Sequence, residues 1–500
     1  MSLSAAYNII SSSFAANAAQ TAVVSKNIAN VNTSGYSREI ANVLTNSYGG
    51  AEVDSVTREA NSALLNQVSD STSQAASQQA ISNGLTTLAR TVNDSASATS
   101  ATGATQNGVS PSAMLAKLQS ALQTYAASPG NASVGQAAVA AASNLARSLN
   151  SASATVQQVR SQADGSMASS VATINSLLDQ FAQANTSIVT GLHTGADVSN
   201  ARDTRDTILG QLSRQIGIST VANQDGSTSI YTDSGVTLFQ DTPRTVAFSP
   251  TTNLTAGASG GAVSVDGVPI TGANAPMAIH SGALAGLATL RDTIAPHYQA
   301  QLDQIAGGLV SAFSETDQSA TPTLPPEPGL FTFPGASSLP STSAMTGLAG
   351  AIEVSANVDP AKGGNVNLLR DGGISNPANP ASTYNPSGAA GFTGRLQQMI
   401  GQISATQSFD PSAGLGASSS LTTYANSSVS WVQGQNQHAS DQASYQDALA
   451  TQASGALSNA TGVNLDAEMT NMLNLENTYT TTAKLLTTVT AMFNALLQAA

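Results

Sequence analysis

From its third residue the chain sets side chains at alternating steps of four and three: Leu3, Tyr7, Ile10, Phe14, Asn17, Thr21, Val24, Ile28 and Val31, all apolar except Asn17 and Thr21. This heptad stripe predicts one face of a helix, about 44 Å long at ~1.5 Å per residue. The C-terminal end repeats the spacing through Leu465, Met469, Met472, Glu476, Tyr479, Ala483, Leu486, Thr490, Phe493 and Leu497. A second stripe joins it through Leu485, Val489, Met492 and Leu496, so the last turns are apolar over a wide face. A face this wide is left wet on an isolated helix. The two ends are therefore expected to pack together or against other copies, and to order fully only with such neighbours. Ordinary core helices or a dimeric coiled coil would show the same period.

Between the ends the period changes several times. Leu64, Val68, Ile81, Leu85, Leu88 and Val92 predict a helix over 61–92, followed by a Ser/Thr/Gly linker over 93–112. Met114, Leu115, Leu118, Leu122 and Tyr125 predict a short helix closed by Pro129-Gly130. A long helix follows over 136–190, with Gly165 as its weakest point, and another over 206–217. Asp225-Gly226 and Asp266-Gly267, flanked by Ile230, Val236, Leu238, Val263, Val265, Val268 and Ile270, are hairpin signals, so 217–280 reads as β-rich. Helix returns over 282–314, where Pro296 should kink or restart it. Residues 319–391 hold most of the prolines and read either as an irregular or β-containing insertion facing outward or as a largely disordered segment. Leu396, Met399, Ile400 and Ile403 mark the next helix, and Leu421, Tyr424, Trp431, Tyr445 and Leu449 a final long one before the terminal stripe. No internal repeat of fixed period is evident.

The fold class that follows is mainly α: a long helical bundle or coiled coil formed by the N- and C-terminal segments, with inserted β-rich and irregular regions, α+β and multidomain overall. The expected division sets 1–45 with 460–500 as a terminal coiled-coil assembly domain. Residues 46–216 with 281–318 and 392–459 form a helical bundle domain, 217–280 a β-rich subdomain and 319–391 a Pro/Gly-rich outer region.

Composition narrows the function. Of 500 residues only 9% are charged, against roughly 25% in an average soluble protein. Net charge is −13, and 10 Tyr, 10 Phe and one Trp leave a core of Ala, Leu, Val and Ile. Sixteen basic residues spread over the whole chain give no electrostatic footprint for nucleic acid. None of Lys26, Lys117, Lys362 and Lys484 follows a Gly, so a phosphate-binding loop is absent. Zero Cys excludes disulfides, thiolate metal sites and a Cys nucleophile. No apolar run reaches the ~18 residues of a membrane span. The first basic residue is Lys26, so a conventional signal peptide is not expected.

Candidate chemistry is thin. Gly257-Ala258-Ser259-Gly260-Gly261 fits the Gly-x-Ser-x-Gly pattern, but turn-rich flanks replace the strand and helix that a nucleophile elbow needs. His193, His280, His297 and His438 lack metal-ligand spacing and read as surface or capping residues. Arg202, Asp203, Arg205 and Asp206 read as helix-start carboxylates in solvated ion pairs rather than an acid–base cluster. Trp431 reads as packing. No catalytic, cofactor or metal residue is assigned.

One motif is specific. Residues 26–38 read Lys-Asn-Ile-Ala-Asn-Val-Asn-Thr-Ser-Gly-Tyr-Ser-Arg. Asn30 and Asn32 suit a helix end, Gly35 a left-handed turn, and Tyr36 an anchor against a neighbour. The stretch closely resembles the N-terminal signature of bacterial flagellar rod, hook and hook-associated proteins. Tyr36-Ser37-Arg38, the stretch 462–468, Tyr479 and 493–497 are similar to the hook–filament junction branch of that family, as are 281–287 with 290–292 and 202–206 with Ile208 and Leu212. The likeness covers roughly 1–315 and 392–500. It implies a non-enzymatic structural subunit outside the cell, exported by the flagellar type III apparatus. The implied partners are copies of itself in a ring or helical layer, the hook protein, the next junction protein below the filament, and an export chaperone at the C-terminal helix. Neither nucleic acid nor membrane insertion is implied. Subunit contacts are assigned to Leu3, Tyr7, Ile10, Phe14, Val24, Ile28, Asn30, Val31, Gly35, Tyr36, Leu465, Met469, Met472, Tyr479, Leu486, Val489, Phe493, Leu496 and Leu497. A hook or distal rod protein is the alternative within the family. An extracellular adhesin stalk is permitted by the Ser/Thr/Ala-rich middle, and a secreted hydrolase would rest on Ser259 alone.

Overall fold

The computed structural model describes residues 2–47, 49–94, 108–341 and 345–499. Helix α1 (Leu3–Ala29) opens where Ser2 accepts a hydrogen bond from the Ala5 amide on its side-chain oxygen, a helix N-cap. It is followed by a hairpin, β1 (Glu39–Thr45) and β2 (Ala51–Arg58), then α2 (Ser62–Ala89). The expected domain boundary at residue 45 therefore cuts between two paired strands, and the segment assigned to the helical bundle begins inside a hairpin. A register shift between Asn42 and Val43 breaks the two-residue alternation that would have announced it.

Helices α3 (Pro111–Ala127) and α4 (Ala132–Thr194) come next. Of the expected linker, 95–107 lies outside the described residues. Helix α4 runs 63 residues without interruption, about 95 Å at ~1.5 Å per residue. Gly165 does not break it, and its apolar stripe continues on either side. The spine thereby serves two cores. Its first half, from Ala138 to Ala163, packs in one, and its second half, from Met167 to Ala184, in the other.

The second core is closed by α5 (Ser199–Gln215), which starts seven residues before its expected position, and by two small antiparallel sheets. Strands β3 (Ile218–Ala222), β4 (Thr228–Thr232), β5 (Thr237–Gln240) and β6 (Thr242–Pro243) form one, and β7 (Val246–Ala247), β8 (Ser264–Val265) and β9 (Val268–Pro269) the other. Both hairpin signals connect paired strands. The Asp266-Gly267 turn has positive φ at both residues, 48° and 84°, the geometry that matches strand twist.

Helix α6 (Ala283–Thr289) passes through a π-helical segment, 290–294, into α7 (Ala295–Ala312). Pro296, which lacks an amide hydrogen, stands in the first turn of α7, where none is needed. The predicted restart thus takes the form of a π-bulge. It carries Arg291, wholly buried, with its guanidinium against Asp164 of α4 and 2.8 Å from Asp292. Arg291 also donates to the Gly261 carbonyl at 2.7 Å, while Arg160 donates to the carbonyls of Thr255 (2.8 Å) and Ala258 (2.5 Å). A side chain at Gly260 would begin 2.3 Å from the Arg291 guanidinium carbon. The Gly-x-Ser-x-Gly stretch is therefore the loop two buried arginines hold down, with neither strand before nor helix after it.

Residues 319–391 are irregular, with β10 (Phe331–Thr332), α8 (Leu348–Ala351), β11 (Glu353–Val354) and α9 (Leu368–Asp371). The stretches 319–326 and 386–391 are exposed, whereas other parts of the segment turn inward. Leu330, Phe331, Leu348, Ile352, Val354, Val358, Leu369 and Ile374 are buried in the first core. Phe331 sits edge-on to Phe313, the residue that caps α7, at 5.2 Å. The buried apolar residues come singly or in pairs between exposed turns, a pattern with no period to read. Asp303 of α7 pins the segment. Its carboxylate accepts from the amides of Gly347 (2.8 Å) and Ala349 (2.9 Å) and from Gln299 (2.9 Å).

Burial holds the Asp303 carboxyl up at about 6 against those hydrogen bonds. From about pH 4 to 6 the folded chain keeps a proton the unfolded chain has released. Stability from this group is thus full at the acid end and falls as pH rises, by about 3 kcal/mol in all. Asp303→Asn should remove that slope. Urea unfolding of both proteins at pH 4 and 6.5 checks it, and parallel shifts would refute it.

The chain ends with α10 (Gly394–Ser404), the hairpin β12 (Thr406–Ser408) and β13 (Ser418–Ser420), α11 (Leu421–Thr461) and α12 (Leu465–Ala499). Helix α11 returns along α2, and α12 along α1.

Candidate functional site: the terminal helix pair

Helices α1 and α12 run antiparallel. Phe14 meets Tyr479 edge-on at 5.1 Å, the Asn17 amide donates to the Leu475 carbonyl at 3.0 Å, and Asn27 reaches Glu468 at 3.3 Å. One helix pair cannot cover two wide stripes. Of the residues assigned to subunit contacts, Ile10 and Val24 are buried, while Leu3, Phe14, Ile28, Asn30, Val31, Tyr36, Met472, Leu486 and Val489 are half-buried. Tyr7, Gly35, Leu465, Met469, Tyr479, Phe493, Leu496 and Leu497 are exposed, with Leu496 and Leu497 each 65% accessible. Leu473, Leu485 and Met492 extend the exposed apolar face. Nothing in either core draws on α12.

Beneath this face the motif at 26–38 builds a polar joint. Asn27 is wholly buried and uses all its hydrogen-bonding capacity. Its amide nitrogen donates to the Glu39 carbonyl (2.9 Å) and to Glu468 Oε2 (3.3 Å). Its oxygen accepts from the Tyr36 hydroxyl (2.8 Å) and the Glu39 amide (3.0 Å). Arg38 donates from Nε to Glu468 Oε1 at 2.6 Å and lies 3.3 Å from Glu59. Its backbone amide donates to the Thr461 carbonyl at 2.8 Å. Lys26 pairs with buried Glu39 at 2.5 Å. Gly35 adopts φ 81° and lies against the Thr207 hydroxyl, so the left-handed turn expected there forms. Asn30 ends α1 with φ −103°, its side chain donating to the Lys26 carbonyl.

A second cluster ties the hairpin to α5. Arg58 reaches Asp203 at 2.6 Å and Asp206 at 2.5 Å, and the Ser37 amide donates to Asp203. These are not the solvated pairs expected of 202–206, because β2 brings Arg58 over them and excludes water. Burial alone would lower the Arg58 pKa, but the two aspartates outweigh it and hold the cation above its ordinary value. The Glu468 hydrogen bond likewise raises Arg38. Burial, then the charges of Glu39, Asp203 and Glu468, push the Tyr36 hydroxyl far up, so it stays a donor.

Tyr36 therefore anchors within its own chain, through Asn27. Asn27, Glu468 and Arg58 were not singled out from the sequence. Two polar residues of the joint sit beside apolar stripe positions, Asn27 before Ile28 and Glu468 before Met469, which is their local signal. An open groove of about 1480 Å³ runs between the 30–37 turn, α2, α5 and α11. Among the described residues no group of His, Asp and Glu is arranged to hold a metal ion, and no helix is long and apolar enough to cross a membrane.

Comparison with known proteins adds two family matches. The family described as the flagellar hook-associated protein FlgK helical domain matches residues 99–324. The family described as the flagellar basal body rod FlgEFG protein C-terminal matches 453–499. Flagellar hook-associated protein 1 of Salmonella typhimurium (strain LT2) is 26% identical over 315 residues, 60% of this chain and 54% of that protein. The protein of the same name from Salmonella typhi gives the same figures. The chain thus spans about half the length of the curated relatives it matches. The solved flagellar hook junction protein FlgK from Burkholderia pseudomallei is 22% identical with a TM-score of 0.41, over 54% of this chain and 46% of that one. With a match to a hook-associated helical domain in its middle and to a rod-and-hook type segment at its C-terminal end, the chain is similar to the flagellar hook-associated proteins of the hook-associated protein 1 type.

Proposed function

We propose that the chain is a structural subunit of the bacterial flagellum that assembles at the hook–filament junction and connects hook to filament. The observation that carries this reading is the uncovered apolar face of α12, from Leu465 and Met469 to Leu496 and Leu497, on a helix that contributes to neither core. Covering such a face is a strong drive to associate. Copies of the same chain, in a ring or helical layer, are the first partners. The hook protein and the next junction protein lie on either side, and an export chaperone covers the C-terminal helix beforehand. The place of action is outside the cell, reached through the flagellar export apparatus. The mechanism is packing rather than catalysis, with the terminal helices as the assembly domain. The hook-associated match over 99–324 favours the junction over a hook or distal rod role, and an adhesin stalk accounts for neither that match nor the α12 face.

Electron microscopy of a strain lacking the gene, with an assay for flagellin in the medium, tests the reading. Finished hooks without filaments and flagellin lost to the medium are expected. Absent or truncated hooks would move the protein to the rod or hook, and intact flagella would refute the role.

A further inference from the structure

The apolar stripes do not by themselves define how far α12 slides along α1. Leu465, Met472, Tyr479, Leu486 and Phe493 stand seven apart, so a slide of one heptad puts each apolar residue where another stood. The bond from Asn17 to the Leu475 carbonyl does not discriminate either, since main-chain carbonyls recur along the helix. The carboxylate of Glu468 does. It is buried, with one oxygen bound by Arg38 and the other by Asn27. The acidic residues of α12 are Asp466, Glu468 and Glu476 alone, so a slide of one heptad in either direction presents Thr461 or Leu475 instead. Arg38 and Asn27 would then face a single neutral hydroxyl or an apolar side chain in place of a two-oxygen carboxylate, and Arg38 would lose this counter-ion, a penalty the apolar stripe cannot repay. The short connection from Gly462 to Asn464 restricts such a slide without forbidding it, because closure entropy rises slowly with loop length. A buried ion pair adds little net stability, and setting register is its best-attested use.

We propose that Glu468, acting through Arg38 and Asn27, is a positioning residue that sets the register of the terminal helix pair, and with it the axial stagger at which the apolar face of α12 is offered to neighbouring subunits. That last step rests on the assembly role proposed above, whereas the register is a property of the single chain.

Because the chain has no cysteine, engineered pairs report register cleanly in the purified full-length protein. Phe14→Cys with Tyr479→Cys samples the observed register, where the rings lie 5.1 Å apart. Phe14→Cys with Leu486→Cys samples a slide of one heptad, about 10 Å away. The first pair should cross-link and the second should not. Moving the carboxylate by one heptad, with Glu468→Leu and Leu475→Glu together, should reverse this, making 14–486 the dominant product at unchanged helical circular dichroism. A cross-link that stays at 14–479 would overturn the proposal. Loss of helical signal would also overturn it, by making the carboxylate a requirement for folding rather than for register. Glu468→Gln, nearly identical in shape, serves as the milder variant and should give both cross-links in comparable amounts, as two near-equal registers share the population. A single product from it counts against the proposal. These readings need no flagellum, so a failed register and a failed junction role are separate results.

Discussion

Replacing Leu486 or Phe493 with Asp should abolish incorporation into the flagellum while leaving both cores folded. Phe493 is 43% accessible in the single chain, and Leu486 is half-buried beside it. Each has apolar surface left for a neighbour, worth about 2 kcal/mol when fully covered. An Asp there forfeits that gain and adds the cost of taking an unpaired carboxylate out of water, several kcal/mol more. Together these amount to three or more orders of magnitude in association at 1.4 kcal/mol per tenfold. In a symmetric layer every copy carries the lesion, so the losses repeat at each contact. The helical and β-rich cores draw nothing from α12, so their thermal unfolding should be unchanged. Motility and immunoblotting of sheared flagella, set beside calorimetry of the purified variant, check both halves. Normal motility would refute the packing mechanism.

How much of this was legible depends on whether the information was local. The heptad stripes at both ends, the 63-residue spine and the Asp225-Gly226 and Asp266-Gly267 hairpins were readable because period and turn chemistry are properties of neighbouring residues. The β1–β2 hairpin was missed, since its strands are partly exposed and its alternation is broken by the register shift at Asn42. The burial of parts of 319–391 was hidden for another reason. Phe331, Ile352 and Val358 reach the first core one turn at a time, and Asp303 fixes the loop from the far side. The motif at 26–38 could be seen but not explained. Its reason lies in bonds from Arg38 to Glu468, 430 residues away, and from Asn27 to Glu468, 441 away. Tyr36 was read as an anchor against a neighbour, and its hydroxyl is bonded within its own chain, to Asn27 of the same motif. The same holds for Asp203 and Asp206, which looked solvated until β2 placed Arg58 over them.

The largest loss of stability should follow Arg291→Met. Arg291 has no accessible surface, and its guanidinium pairs with Asp164, spans Asp292, donates to the Gly261 carbonyl and lies over the Phe248 ring at 5.7 Å. It sits in the π-bulge, opposite the point where α4 passes from one core to the other. Removing it leaves the buried Asp164 carboxylate with the Thr251 amide as its one hydrogen-bond partner among the described residues. Breaking a buried pair from one side costs about 3–5 kcal/mol. The 251–261 loop also loses its bond at Gly261, although Arg160 still holds Thr255 and Ala258. Removing both charges is a different experiment. Arg291→Met with Asp164→Leu leaves only Asp292 without its cation, and that side chain, 22% accessible, can reach water, so most of the loss should be recovered, because an apolar pair of similar volume is often as stable as the ion pair it replaces. Urea unfolding of the single and double variants separates the two cases. A single variant within ~0.5 kcal/mol of the native chain would mean that Asp164 finds water or another partner, and that this junction is held by packing along α4 rather than by its buried charges.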